Sequence, residues 1–167
     1  MGEGTYMVRK AIIQDFESFY KIKSEEDNLF WCGHDKKPIR ENLFKFWKKH
    51  VSENSNRTIL TIIGGGIPVG YLYIDYKLDI ELSVGVSCQY TGHGIATKAI
   101  SEVVKELINI ENKDIIAYIR EDNIKSQHVF SKVGFKRTDI YQSMLLPTLE
   151  HEIKLYKWIY FGEERKC

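Results

Sequence analysis

The chain has 167 residues, 43% hydrophobic and 13% aromatic, enough for one domain, residues 1–167, to bury a continuous core. Its 24 Lys and Arg against 23 Asp and Glu leave a formal net charge of +1, which argues against a protein that holds nucleic acid through a global positive field. No run approaches the roughly 18 apolar residues that cross a bilayer, and MGEGTYMVRK lacks the apolar centre of a secretory signal, so a cytoplasmic protein with no membrane partner is expected. Cys32, Cys88 and Cys167 are far apart and form no CxxC pair. They fit reduced thiols, and no cluster of His, Cys, Asp and Glu has the spacing of a metal site.

In chain order, TYMVRKAI predicts a first strand, and QDFESFYKIKSEEDN a helix with Phe16, Phe19, Tyr20 and Ile22 on one side. The polar stretch NLFWCGHDKKP leads to a second helix, IRENLFKFWKKHVSE, whose Leu43, Phe44, Trp47 and Val51 share a face. RTILTII, IPVGYLYIDYK and LDIELSVGV predict three strands, joined through GGGI and YKLD as an antiparallel meander. A helix follows with the stripe Ala96, Ala99, Ile100, Val103, Val104 and Leu107. Strand DIIAYIR, helix NIKSQHVFSKVG and strands FKRTDIY and HEIKLYKWI close the chain. The order βααβββαβαββ predicts an α/β domain on a mixed sheet.

The stretch QYTGHGIAT, residues 89–97, stands where the third meander strand gives way to a helix. The first amides of a helix have no partner within it and lie at the positive end of its dipole, so an anion suits them. Gly92 and Gly94 have no Cβ, which allows left-handed angles and the close approach of a pyrophosphate. Neither GxxxxGK[ST] nor a complete GxGxxG is present, and a GxG pair alone also serves a plain tight turn.

Gln89-Tyr90-Thr91-Gly92-His93-Gly94-Ile95-Ala96 matches the Q/R-x-x-G-x-G/A signature of the GCN5-related N-acetyltransferases. Asn123, Ser126 and the closing Gly134-Phe135 resemble the second signature, N-x-x-S/A ending in G-F. The chain is therefore identified as resembling this GNAT superfamily from about residue 6 to 160, with the pattern of its ribosomal-protein, polyamine and amino-sugar acetyltransferase branch. The resemblance implies a mostly antiparallel central sheet with helices on both faces. It implies acetyl-coenzyme A as cofactor and a primary amine as acceptor: an amino sugar, a polyamine or a peptide N-terminus. Dimerisation, common in that family, is a further expectation.

The same resemblance supplies roles. Val84, Gly85 and Val86 would lie along the pantetheine arm, the Val86 amide polarising the thioester carbonyl. Amides from Gln89 through Tyr90, Thr91, Gly92, His93, Gly94 and Ile95 to Ala96 would hold the pyrophosphate. Glu81 would take a proton from the acceptor ammonium, which is mostly charged at neutral pH; Asp79 and His34 are weaker substitutes. Many members carry a proton-donating tyrosine where this chain has Phe130, so Ser126 or water would protonate the sulfur, and Asn123 would cap its helix or bind the arm. Trp31 and His34 would belong to the acceptor wall. Two alternatives stay open: a non-catalytic acyl-coenzyme A sensor and a transferase of longer acyl chains.

Overall fold

The computed structural model describes residues 5–52, 55–110, 113–147 and 151–162. Its centre is a seven-stranded sheet in the order β1-β2-β3-β4-β5-β7-β6. The strands are β1 (Tyr6–Lys10), β2 (Arg57–Gly64), β3 (Ile67–Tyr76), β4 (Ile80–Val86), β5 (Ile115–Arg120), β6 (Phe135–Leu145) and β7 (Glu152–Tyr160). β2, β3 and β4 form the expected meander, turning at Gly65 and Gly66, whose φ values of 60° and 82° suit residues without a side chain. β7 inserts antiparallel between β5 and β6. Among the described strands only β4 and β5 run parallel.

Each sheet face meets its own helices. α4 (Ile95–Leu107) and α5 (Ile124–Val133) cover the face that carries Ile62, Leu72, Ile74, Ile80 and Leu82. The predicted α4 stripe holds: Ala99, Ile100, Val103, Val104 and Leu107 are buried. α1 (Phe16–Lys23) and α3 (Arg40–Ser52) pack on the opposite face through Phe16, Phe19, Ile22 and Trp47, against Ile59, Tyr71 and Tyr73. Trp47 is fully buried, whereas Phe44 of the same predicted stripe is 38% exposed and meets Phe16 edge-on.

Asp15, in the 3-10 turn before α1, ties this layer to the sheet. It accepts a two-point pair from Arg9 at 2.7 and 2.8 Å, the Ile12 amide at 3.1 Å and the Thr61 hydroxyl at 2.8 Å. No described helix is long and apolar enough to cross a membrane.

The structure departs from the predicted order in one place. The helix read as continuous over 14–28 stops at α1, and a separate six-residue helix, α2 (Glu26–Trp31), spans the end of that predicted helix and the start of the polar stretch. Between them Glu25 is extended, with φ −67° and ψ 140°. Hydrophobic period carries no sign of that break, where Glu25 holds Ser87, 62 residues away.

Candidate active site

The site begins where the sheet opens. β4 and β5 pair only at Ile80 with Ile115 and Glu81 with Ile116, then separate. Ile80 donates its N–H to Asp114 O on the β5 side, and Ser87 donates its own to Val69 O on the β3 side, both at 2.8 Å. Backbone groups alternate sides along a strand. The outward amides of Val84 and Val86 therefore face the opening and have no strand partner. Two unpaired amides beside a cleft can bind an extended ligand as a further strand would.

Gly85, between them, keeps that strand close to β3: a Cβ there would lie 2.5 Å from Cε1 and Cζ of Tyr71 and 2.6 Å from its hydroxyl. The phenol of Tyr71 thus rests on β4 beside the opening. Burial, with Cys32 and Tyr73 nearby, pushes its pKa well up, so it stays protonated. Val84 and Val86 turn their side chains toward the α4–α5 core.

After β4 the chain makes a 3-10 turn over Cys88–Tyr90 and enters α4 through Gly94. Gly92 and Gly94 have φ of 82° and 74°, and no heavy atom lies within 4 Å of a Cβ built on either. Gly94 is the N-cap, and no side chain caps the helix. Thr91 Oγ1 donates to Cys88 O at 3.0 Å, and His93 Nδ1 lies 3.0 Å from Thr91 O. Gln89, Thr91, His93 and both glycines are exposed, Tyr90 and Ala96 half-buried, and Ile95 buried. This leaves an open cradle of uncapped amides, a fit for a phosphate group.

On the far side of the opening Asn123 Oδ1 accepts the Ser126 amide at 3.1 Å and so caps α5. Ser126 is half-buried in the first turn of that helix. Phe130 is 3% exposed, its ring edge-on to Phe135 at 5.0 Å within the core.

α2 closes the top of the opening from both strands. Glu25 accepts the Ser87 hydroxyl at 2.6 Å, the Cys88 amide at 2.8 Å and Asn28 Nδ2 at 3.0 Å. Asn28 Nδ2 also reaches Val86 O at 3.3 Å. From β5, the buried Arg120 donates to Phe30 O at 2.7 Å and lies 4.9 and 5.1 Å from the ring centroids of Phe30 and Trp31. Trp31 is therefore held between Phe30 and Arg120. The loop that follows meets the end of β6, where a Cβ on Gly33 would be 2.6 Å from Leu146 Cδ2.

Ile80 and Leu82 face the α4–α5 core, so Glu81 faces the opposite layer, where it accepts Lys77 Nζ at 2.8 Å. Its cross-strand partner Asp75 holds Arg57 through bonds of 2.5 and 2.6 Å. Asp79 pairs with Lys157 at 2.8 Å. On the same layer is a cleft of about 300 Å³, lined by His34, Lys23, Lys36, Arg57, Tyr73 and apolar side chains. Glu81 and Trp31 do not line it; His34 does.

The predicted residues thus divide: the cradle residues and β4 amides flank the opening, Asn123 and Ser126 stand at the cap of α5, and Trp31 lies in α2 above the opening. Glu81 faces the opposite layer and only His34 lines the cleft, while Phe130, expected beside the cofactor, packs in the core because its ring meets Phe135 there. Sequence reading missed Glu25, Asn28 and Arg120 as site-building residues and Lys23 as a cleft residue; of the two β3 tyrosines it offered as cleft-lining or helix-packing residues, Tyr73 lines the cleft and Tyr71 is buried beside Phe19.

The chain matches the acetyltransferase (GNAT) domain family over residues 6–136. Among solved structures it resembles yncA from Salmonella typhimurium with its cofactor acetyl-CoA, at 16% identity and a TM-score of 0.76 over 97% of this chain and 96% of that one. A spermidine N-acetyltransferase from Vibrio cholerae in complex with CoA and spermine aligns with a TM-score of 0.77 and 13% identity over 92% and 95%. A ribosomal-protein-alanine N-acetyltransferase from Brucella melitensis aligns with a TM-score of 0.77 and 19% identity over 92% and 98%. No curated protein sequence matches the chain. With the family matched over most of its length and the sheet opening in the place described, this chain belongs to the GNAT acetyltransferase domain family.

Proposed function

We propose that the protein is an acetyl-coenzyme A-dependent N-acetyltransferase that moves an acetyl group directly from the thioester to a primary amine. One observation carries this reading: unpaired outward amides at Val84 and Val86 run straight into the uncapped cradle at Gly92 and Gly94. A strand-like arm ending in a pyrophosphate needs that pair of features in that order. Structural relatives with bound acetyl-CoA or CoA support the choice of ligand, as do those that acetylate spermidine or a ribosomal-protein alanine for the choice of an amine.

The thioester supplies an activated acetyl group; the chain does the rest. Amides from Thr91 to Ala96 would hold the pyrophosphate, that of Tyr90 being already donated to Ser87 O at 2.8 Å. The unpaired amides of Val84 and Val86 would hold the thioester carbonyl, where a donor stabilises the charge that grows on attack. At about 3.3 Å per residue, Glu81 lies roughly 10 Å along the strand from Val84 and 17 Å from Val86. It therefore takes the acceptor's proton through water rather than by direct contact. A thiol pKa near 8.5 makes the thiolate a tolerable leaving group, so Ser126 or water suffices to protonate it with a phenylalanine at position 130.

The test is thiol release from acetyl-coenzyme A with a panel of amines, beside calorimetric titration of coenzyme A. Turnover on an amine supports the assignment. Micromolar binding with no turnover on any amine favours the sensor alternative, and a folded protein that binds no coenzyme A refutes the reading.

A further inference from the structure

The cleft beside the opening has a one-sided charge. Lys23, Lys36, Arg57 and His34 line it, and no Asp or Glu does. Arg57 is already neutralised by its two bonds to Asp75. Lys23 and Lys36 have no ion-pair partner among the described residues. Asp35, next to Lys36 in the same loop, is exposed and outside the lining.

Lys23 is half-buried, with its ammonium 3.7 Å from Cys32 Sγ and 5.4 Å from the centroid of the Tyr71 ring. Tyr71 is the ring that rests on Gly85, and Tyr73, its neighbour at 5.0 Å, lines the cleft. The cleft therefore places two uncompensated lysines before solvent, and one of them, Lys23, lies over Tyr71, the ring that rests on Gly85 of the strand with the free amides. A polyamine or other polycation entering it would bring like charges together in a partly desolvated space, which weakens binding. An anionic group would find two ammonium partners there. A volume of about 300 Å³ is at the small end for ligand sites and suits a single amino acid or monosaccharide.

We propose that the acceptor is a compact amine that also carries an anion, a carboxylate or a phosphate, seated by Lys23 and Lys36. This rests on the acetyltransferase reading above and narrows its acceptor.

The test compares kcat/KM, corrected for the fraction of neutral amine, within matched pairs: glucosamine 6-phosphate against glucosamine, and alanine against alaninamide, with spermidine as the polycation. The expected result is a preference of tenfold or more for the anionic member of at least one pair. The pair that responds tells phosphate from carboxylate. In Lys36→Glu and in Lys23→Met that preference should fall to threefold or less.

Equal rates within both pairs, a preference for spermidine, or an unchanged preference in both variants would overturn the proposal. If no amine turns over, calorimetric titration of the same pairs into coenzyme A-saturated protein reads the preference as a ratio of Kd, with the same criteria. If coenzyme A itself fails to bind the folded protein, the acetyltransferase reading falls, and the pairwise titration into free protein still decides the charge preference of the cleft.

Discussion

Gly85→Ala probes the contact that joins the two halves of the site. The added methyl would stand 2.5 Å from Cε1 and Cζ of Tyr71, about 1 Å inside ordinary contact distance. The ring is 4% exposed and flanked by Phe19 at 5.1 Å and Tyr73 at 5.0 Å, so it cannot turn aside freely. Overpacking of this kind costs about 1–3 kcal/mol. With an unfolding entropy of about 2.1 cal/mol/K per residue, a chain of this length loses about 3 °C in Tm per kcal/mol, and a drop of about 3–9 °C is expected by scanning calorimetry. Because β4 is also the strand that presents Val84 and Val86, kcat/KM for acetyl-coenzyme A should fall by about tenfold or more. Gly85→Ala/Tyr71→Leu removes the ring and should lose less stability than the two single variants summed. A Gly85→Ala protein with parental Tm and parental kinetics would refute the contact and its link to the opening.

Gly92→Val puts a branched side chain at φ 82° with open space around it. It should cost about 1–2 kcal/mol through backbone strain and weaken coenzyme A binding in calorimetry at least tenfold, whereas Gly92→Val with unchanged affinity would remove the cradle from the site. Glu81→Gln should lower kcat by about a hundredfold if the carboxylate relays the proton, and parental rates would discard that role. For Asp15, the cost of burial is the largest single influence, but it is outweighed by Arg9, the Ile12 amide and Thr61, so the carboxyl sits below its usual 3.8. A carboxyl lowered on folding contributes stability above its unfolded value and loses it as pH falls through the folded one. Denaturant titrations should therefore find Asp15→Asn about 2–4 kcal/mol less stable at neutral pH, with a shallower loss of stability below about pH 4 than the parent.

Much of the fold could be read from local pattern. Alternation predicted β2, β3 and β4 and their turns, and the stripe ending at Leu107 predicted α4, because burying one face imposes its period on the sequence. The turn into α4 was legible for a related reason: its left-handed backbone angles select glycine, so Gly92 and Gly94 carry their conformation in their identity. What no local pattern contains is the meeting of distant segments. Glu25 breaks a helix to hold Ser87 and Cys88, and Arg120 reaches back 90 residues to Phe30. Lys23 and Lys36 share a cleft with Arg57 although a balanced net charge hides any local excess. Sequence by itself determined the strands, the main helices and the glycine turn into α4, since each follows from neighbours along the chain. Tertiary structure alone decided where β4 and β5 part, what covers the opening and which charges line the cleft, because those depend on long-range packing rather than on any repeat in the sequence.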